Sequence, residues 1–313
     1  METYTLRSGA KIPAFGLGTW KSKKGEVEKA VKEALKIGYK HLDCAAIYSN
    51  ETEVGQALAS YAGPRHELWV TSKLWNSAHQ PEDVRPALER TLLDLRLTHL
   101  DLYLIHWPIH FTAGVVFPRS ADQFLPPDAI PVEETWQALE ECVQAGLTTH
   151  IGVSNFTAQK IDALMRTASI MPAINQIELH PYLQQDAMLN YGREKGILLT
   201  AYAPLGSGDR PKIMKKAEEP VLLQNKTIIE TAKKHKATPG QVLIAWALAR
   251  GTVVIPKSVN PKRLRENFKA QQIKLDQEDM AHISALDLEW RFVDGENFCT
   301  ADSPYTLDWL WNE

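Results

Sequence analysis

The chain has 313 residues, of which 44% are hydrophobic and 23% are charged, an ordinary mixture for a globular protein with a large core. Its formal net charge of −3 provides no basic field for nucleic acid. No apolar run is long enough to cross a bilayer, and the first residues lack the basic and apolar segments of a secretory signal, so we expect no membrane partner.

The N-terminal half of the chain opens with a predicted β-hairpin over residues 3–14, with its turn at Ser8-Gly9. Short runs of β-forming residues then alternate with apolar residues at helical spacing, and Gly38 ends the first long helix. The run over 100–105 is mostly apolar, which is typical of a buried strand in a parallel sheet. The predicted strands of this half are 15–20, 39–42, 68–72 and 100–105, and the longer helical patterns begin near Val27 and Val84.

The C-terminal half continues the same alternation. Thr238-Pro239 is a favourable N-cap and first-turn pair for a helix that ends before Gly251, and Asn260-Pro261 opens another. Asp276 caps the last predicted helix. The predicted strands of this half are 150–153, 173–178, 197–201 and 252–255, and helical patterns cover 132–143, 161–168 and 188–195.

Eight strand-like runs, each followed by a helical pattern, predict a single (β/α)8 TIM barrel domain over residues 1–313. An open doubly wound sheet would need a phosphate-binding glycine loop, and the glycines of 15–20 fail that pattern because Lys21 stands at the third position. Three connections are unusually long, namely 107–131, 205–224 and the tail after Trp290. We expect these long loops and the C-terminal tail to cover the active-site face.

The predicted strands end on polar residues, and barrel enzymes carry their chemistry at the carboxyl ends of the strands. Asp43, Lys73 and His106 follow three consecutive strands, with Tyr48 in the loop after the first of them. A lysine beside a tyrosine should lower the phenol's pKa from its ordinary value near 10, while a carboxylate orients the lysine. A lone tyrosine or lysine at a strand end is more often structural than catalytic, and His106 or Asp43 alone would fit a structural role. Together the four residues would protonate an oxyanion as hydride reaches a carbonyl carbon.

Six short motifs, spread over most of the chain, stand in the order and barrel context predicted above. They are Phe15–Trp20, Leu42–Tyr48, Val70–Lys73, Tyr103–Pro108, Ile151–Phe156 and Ile255–Val259. Together they resemble the aldo-keto reductase superfamily, in particular its aldose and aldehyde reductases. The resemblance covers about residues 4–292 and implies that Asp43, Tyr48, Lys73 and His106 form a catalytic tetrad, with Tyr48 as general acid in reduction.

The resemblance also implies a binding site for NADPH or NADP+. Lys257, Ser258 and Arg263 offer two cations and a hydroxyl to one anion, and cations at a helix N-terminus are unfavourable unless an anion binds there. We therefore expect NADPH rather than NADH. The implied contacts are Thr19, Trp20, Asp43, Ser154, Asn155, Gln176 and Tyr202 at the nicotinamide, Leu205, Ser207 and Asp209 at the pyrophosphate, and Lys257, Ser258, Val259, Arg263, Glu266 and Asn267 at the adenosine end.

The implied substrate is a small aldehyde or ketone, held by Trp20, Tyr48, His106 and Trp107. Four more residues are candidates for the pocket: Phe117, Phe298, Cys299 and Tyr305. The tail segments 291–295 and 303–307 resemble those of reductases of aldoses and sugar-derived aldehydes. The loop over 109–130 matches no known pattern, so the substrate is not specified further.

Two other interpretations remain open. Some barrels of this superfamily act as cofactor-sensing, weakly catalytic subunits of larger assemblies, although an intact tetrad argues against that role. A metal-dependent hydrolase could use His41, Asp43, His106 and His180, but no His-x-His pair completes such a site, and we expect no metal.

The cellular setting follows from the cysteines. Cys44, Cys142 and Cys299 are widely spaced and odd in number, which predicts free thiols in a reducing compartment. We therefore expect a cytoplasmic protein, monomeric or at most a weak dimer.

Overall fold

The protein is described by a computed structural model over residues 2–312. Eight parallel strands, β3 to β10, follow one another around the sheet in chain order. Backbone hydrogen bonds from Gly16 N–H to the Val254 oxygen (2.9 Å) and from Gly18 N–H to the Pro256 oxygen (3.2 Å) join the first strand to the last. The barrel is therefore closed, and the predicted (β/α)8 architecture is confirmed.

β6 has the predicted bounds, and the ends of the other barrel strands differ from the sequence prediction by one or two residues, as is usual at element ends. The largest change is at β3, which is two residues shorter at each end than predicted, whereas β5 ends two residues later and β7 begins two residues earlier. The strands are β1 Thr3–Thr5, β2 Lys11–Pro13, β3 Leu17–Gly18, β4 His41–Asp43, β5 Trp69–Leu74, β6 Leu100–Ile105, β7 Thr148–Ser154, β8 Ile174–Glu178, β9 Leu198–Tyr202 and β10 Val253–Val254.

The helices surround the barrel, and their ends follow the capping signals in the sequence. Thr238 forms a full capping box with Gln241, and the Asn260 side chain accepts hydrogen bonds from the N–H groups of Lys262 and Arg263. The helices are α1 Val27–Ile37, α2 Glu51–Ala59, α3 Pro81–Leu95, α4 Val132–Gln144, α5 Ala158–Met165, α6 Asp186–Lys195, α7 Lys226–Lys234, α8 Pro239–Ala249, α9 Pro261–Lys269, α10 Gln277–Ser284 and α11 Leu307–Trp311.

Helices α7 and α11 were not predicted. The only buried apolar residues of α7 are Ile228 and Ala232. The helix is otherwise rich in lysine, so its apolar residues give too short a periodic pattern to predict a helix from the sequence. Helix α11 has five residues and depends on the Thr306 hydroxyl, which accepts a hydrogen bond from Trp309 N–H. None of the helices within residues 2–312 is long and apolar enough to span a membrane.

The predicted hairpin is present as β1 and β2, and it closes the amino-terminal end of the barrel. Leu6 and Ile12 from the hairpin are buried against Trp69, Leu102 and other residues of the barrel interior. Burial of these apolar side chains fills that end of the barrel, so the opening for a ligand lies at the opposite end.

The three long segments meet at the carboxyl end of the strands. The ring of Trp107, just after β6, packs edge-on against Phe298 of the tail, with ring centroids 5.2 Å apart. The Tyr305 hydroxyl accepts a hydrogen bond from His110 N–H and donates one to the Leu125 oxygen, both at 2.9 Å. The tail therefore fastens the loop after β6 in place over the active-site face.

Candidate active site

A cavity of about 940 Å³ opens at the carboxyl end of the barrel. Every residue assigned above to the cofactor lines this cavity, and so do Tyr48, His106, Trp107, Phe117 and Phe298. Lys73 lies just behind the wall and is completely buried. The structure thus brings together the strand-end residues that the sequence predicts on one rim.

A buried charged pair lies at the bottom of the cavity. Lys73 Nζ donates to Asp43 Oδ1 (2.6 Å) and to the Cys44 oxygen (2.7 Å). Gln176 Nε2 donates to the second carboxylate oxygen, Oδ2, at 2.7 Å. Both charges are therefore compensated by hydrogen bonds from neighbouring strands, which a buried ion pair requires.

Tyr48 lies on a short 3-10 turn that follows β4 and faces both the ammonium group and the histidine. Lys73 Nζ is 5.2 Å from the centroid of its ring, and the His106 ring centroid is 5.8 Å away. The expectation of a lowered phenol pKa is wrong for this structure. Burial, followed by the negative charge of Asp43, raises the pKa of Tyr48 well above its ordinary value, because the Lys73 charge is already matched by that carboxylate. Tyr48 therefore holds its proton at neutral pH.

His106 is a neutral imidazole. Burial, the Lys73 charge and His79 lower its pKa well below the ordinary value. The Trp75 ring packs edge-on against it, with centroids 5.3 Å apart, and also lines the cavity. Sequence analysis missed Trp75, although its position two residues after Lys73 at the end of β5 could have indicated it.

The ends of β7, β8 and β9 form the wall assigned to the nicotinamide. Asn155 has a left-handed backbone (φ 63°), and its Nδ2 donates to the His106 oxygen at 2.9 Å. The Tyr202 hydroxyl donates to Asn155 Oδ1 (2.7 Å), and Ser154 Oγ donates to the Gln176 oxygen (2.8 Å). These bonds fix the side chains relative to one another and hold the Tyr202 ring at the cavity wall.

The segment 205–224, which we call the strap, crosses the cavity. Asp209 on the strap pairs with Lys21 at 2.7 Å and with Lys257 at 3.5 Å, so it connects the loops after β3 and β10. The buried Arg210 guanidinium is paired with Glu219 of the same segment. Sequence analysis missed Lys21 as a cavity residue, since no local pattern marks its partner 188 residues away.

The far end of the cavity is basic. Lys257, Ser258 and Arg263 lie around the N-terminus of α9, and Glu266 and Asn267 follow on its next turn. Arg263 is exposed and has no salt-bridge partner in the part of the chain that the structure describes. The Asn260 side chain already accepts the N–H groups of Lys262 and Arg263, so an anion here would be held by the side chains of Lys257, Ser258 and Arg263.

The opposite end of the cavity is aromatic, formed by Trp20, Trp75, Trp107, Phe117 and Phe298. Two of the residues expected there lie elsewhere. Tyr305 is buried against the loop after β6, where its hydroxyl satisfies two backbone groups, and Cys299 is half-buried outside the cavity wall. Burial raises the pKa of the Cys299 thiol to about 11.

The four residues of the hydrolase interpretation do not form a common site. His41 Nε2 lies 3.3 Å from Thr71 Oγ1, and His180 Nε2 lies 2.8 Å from Glu178 Oε1. Glu178 in turn accepts hydrogen bonds from the N–H groups of Phe292 and Val293, at the start of the tail. Across residues 2–312 no three histidine, cysteine, aspartate or glutamate side chains are grouped so that they could hold a metal ion.

The fold and the cavity together define a (β/α)8 barrel with a deep cleft at the carboxyl ends of its strands, where barrel enzymes carry their chemistry. Comparison with known proteins agrees. A model of the aldo/keto reductase family matches residues 14–288. The chain is 52% identical to an aldo/keto reductase of Synechocystis sp. over 317 residues. The matched region covers 100% of this chain and 97% of that protein.

More distant relatives are similar over nearly the same length. Aldo-keto reductase family 1 member A1 of Homo sapiens is 46% identical over 294 residues, covering 92% of this chain and 90% of that protein. The solved structure of the aldose reductase of Schistosoma japonicum superposes with a TM-score of 0.87 at 41% identity, covering 95% and 96% of the two chains.

The chain belongs to the aldo/keto reductase family. It is therefore an oxidoreductase of a family that acts on small carbonyl compounds with a nicotinamide cofactor.

Proposed function

We propose that the protein reduces aldehydes or ketones, including sugar-derived carbonyl compounds, to alcohols with NADPH, and that Tyr48 is the general acid. The observation that carries this proposal is the single cavity that joins an aromatic end beside Tyr48 and His106 to a basic end at Lys257 and Arg263. One end suits a carbonyl compound and the other suits a phosphate.

The proton transfer follows from the surroundings of Tyr48. When bound, NADPH supplies the hydride that reduces the carbonyl carbon. The neutral ring of His106 hydrogen-bonds the carbonyl oxygen and orients it beside the phenol. Tyr48, whose pKa is raised, donates its proton to that oxygen as negative charge develops there, and Lys73, held by Asp43, is the cation beside the phenol ring.

The residues of the remaining walls fit a dinucleotide. Tyr202 would present its ring face to the nicotinamide, with Ser154, Asn155 and Gln176 beside the carboxamide. Because the Asn155 amide is already bonded to Tyr202 and to the His106 oxygen, binding through this amide requires an exchange of partners. Leu205, Ser207 and Asp209 would lie along the pyrophosphate.

The preference for NADPH over NADH depends on the basic end. Arg263 is a cation without a salt-bridge partner among the described residues, and Lys257 has only the 3.5 Å contact to Asp209. Together with the Ser258 hydroxyl they would hold the 2′-phosphate, which NADH lacks. Glu266 and Asn267 would contact the adenosine.

The test is oxidation of NADPH by the purified protein with an aromatic aldehyde and with an aldose, with NADH in parallel and without added metal. We expect turnover that strongly favours NADPH. Equal catalytic efficiency with both cofactors would contradict the role of the basic end. Tight NADPH binding without turnover would favour a cofactor-sensing subunit over a reductase. If the protein neither binds NADPH nor turns over a carbonyl compound, the whole proposal is contradicted.

A further inference from the structure

The C-terminal tail begins on a buried carboxylate. Glu178 is the last residue of β8, and none of its surface is exposed. Its Oε1 accepts a hydrogen bond from Phe292 N–H and its Oε2 accepts one from Val293 N–H, both at 2.8 Å. His180 Nε2 lies 2.8 Å from Oε1. Two consecutive backbone amides of the tail are therefore held by the two oxygens of one side chain.

The strand that carries Glu178 also shapes the bottom of the cavity. Gln176 lies two residues earlier on β8, on the same face of the strand, and its Nε2 donates to Asp43 Oδ2 at 2.7 Å. Glu178 itself does not line the cavity, whereas Val293 does. The carboxylate thus fixes the tail, from outside the cavity, to a strand that orients one residue of the candidate tetrad.

The tail segment held in this way contacts the strap. The Phe292 ring packs against Gly206 of the strap so closely that a Cβ atom added there would lie 3.3 Å from a ring carbon. The Arg210 guanidinium lies 5.1 Å from the centroid of the same ring. Lys216 of the strap forms an ion pair with Asp294 at 2.6 Å. The strap therefore rests on the two held residues and their next neighbour in the tail.

The same segment continues into the aromatic end of the cavity. Gly295 has a left-handed backbone (φ 82°), and a Cβ atom added to it would lie 3.3 Å from the Trp107 ring. Phe298 follows on the next turn, packs against Trp107 with ring centroids 5.2 Å apart, and lines the cavity. Glu178 thus holds a segment that contacts the strap on one side and the aromatic end on the other.

We propose that Glu178 is a positioning residue that couples the aromatic end of the cavity to the strap, by holding the Phe292 and Val293 amides against β8. The held tail supports the bound carbonyl compound on one side and the strap on the other. This inference rests on the proposed function, in which the aromatic end binds the carbonyl compound and the strap covers NADPH. Glu178 lies outside the cavity and contacts neither of them.

The test is Glu178→Gln, which keeps the shape of the side chain but replaces one acceptor oxygen with an NH2 group. One of the two tail amides then loses its acceptor, and loss of a hydrogen bond to a charged group should weaken the hold on the tail about tenfold. Single-turnover reduction of an aromatic aldehyde by the NADPH complex gives the half-saturating aldehyde concentration and the maximal rate. Stopped-flow fluorescence gives the rate constant for NADPH release.

We expect the half-saturating aldehyde concentration and the release rate constant each to rise about tenfold in Glu178→Gln. The maximal rate of reduction should change by less than about threefold, because the residues that touch the reacting atoms keep their contacts. If neither binding quantity changes, if only one of them changes, or if only the maximal rate falls, the proposed coupling is contradicted.

Two variants each break one side of the coupling. Lys216→Met removes the partly exposed ion pair between strap and tail, so NADPH release should speed up by at most about fivefold, with aldehyde half-saturation unchanged. Tyr305→Phe removes the hydroxyl that joins the tail to the loop after β6, so aldehyde half-saturation should rise, with release unchanged. If either variant changes both quantities as much as Glu178→Gln does, the coupling does not depend on Glu178 and the proposal fails.

Glu140→Gln is the matched control. Glu140 of α4 is also buried and does not line the cavity, and its Oε1 accepts hydrogen bonds from the N–H groups of Ser169 and Ile170, both at 2.7 Å. Half-saturation and release should both match the wild type. Changes as large as those in Glu178→Gln would mean that any buried glutamate has this effect, and the proposal would be overturned.

Hydrogen exchange separates this inference from the proposed function, since it needs neither cofactor nor turnover. In cofactor-free protein, the amides of residues 290–299 and of the strap should exchange about tenfold faster in Glu178→Gln than in the wild type, with the amides of β8 unchanged. Equal exchange in the tail and the strap would contradict the inference even if the protein reduces aldehydes. Should the Gln variant not fold, Glu178→Asp keeps the charge but shortens the side chain by one methylene, and the same exchange comparison decides.

Discussion

The bottom of the cavity and its basic end differ in how their charges are balanced. At the bottom, Lys73 and Asp43 are completely enclosed and matched to each other within 2.6 Å. At the basic end, Arg263 is exposed and has no salt-bridge partner among residues 2–312. Lys257 has only a 3.5 Å contact with Asp209. The charges of Lys73 and Asp43 are neutralised within the protein, whereas the positive charges of Lys257 and Arg263 are neutralised only when an anion binds. Changes at the bottom should therefore affect chemistry and folding, and changes at the basic end should affect the choice of cofactor.

The largest expected effect is on the chemical step. Tyr48→Phe keeps the ring and removes the proton, so reduction should fall by about 10³-fold, within the range for loss of a general acid. The affinity for NADPH, measured by direct titration, should be unchanged. Tyr61→Phe, which removes a hydroxyl paired with Lys40 far from the cavity, is the control and should keep full activity. Full turnover by Tyr48→Phe would mean that another group donates the proton.

The next effect is on folding. Lys73→Met leaves the Asp43 carboxylate buried without its cation, which should lower the free energy of unfolding by about 3–5 kcal/mol. Urea unfolding measures the loss. Lys32→Met removes the same kind of side chain from a partly exposed pair with Glu28, four residues apart on α1, and it should cost less than about 0.5 kcal/mol. Equal losses of unfolding free energy in the two variants would show that burial does not increase the contribution of the Lys73 pair to stability.

A smaller effect is expected at the basic end. Arg263→Ala should weaken NADPH binding about 10- to 100-fold, because a charge-assisted contact to the 2′-phosphate is lost. Binding of NADH, which lacks that phosphate, should change little. Lys262→Ala is the matched control, since this neighbouring lysine is exposed and does not line the cavity. If Arg263→Ala weakens both cofactors equally, the arginine does not discriminate between them.

The features of this molecule that could be predicted from the sequence are those with local signals. The barrel and its polar rim were predictable because strand runs, glycine stops and caps such as Thr238 and Asn260 are local signals. Residues at the strand ends, such as Lys73 and Gln176, follow from that topology, since parallel strands present their carboxyl ends on one rim.

What the sequence did not provide depends on contacts between distant segments. The link from Lys21 to Asp209 joins residues 188 positions apart, and Tyr305 reaches back to His110 across the tail. The direction of the Tyr48 pKa was predicted wrongly for a similar reason. The neighbouring lysine could be recognised, but the burial of the phenol and the prior pairing of Lys73 with Asp43 appear only in three dimensions.

The smallest expected effect lies between the two ends, at the strap. Asp209 is more than half exposed, so its pairs with Lys21 and Lys257 together are worth no more than about 1 kcal/mol. Asp209→Asn should therefore speed release of NADPH by up to about fivefold. Removing an anion beside the phosphates should also speed binding, so we expect the dissociation constant to change by less than about threefold.

Stopped-flow measurement of both rate constants checks this prediction, with Glu218→Gln as the control because that strap residue is exposed and does not line the cavity. An unchanged release rate would mean that the strap is held by its apolar contacts, such as Leu222 in the core, and that the Asp209 bridge contributes nothing. A loss of affinity as large as that of Arg263→Ala would instead place Asp209 with the basic end, as a residue that orients Lys257 toward the phosphate. The expected result, faster exchange at nearly constant affinity, would show that the strap gates the cavity without forming part of its anion site.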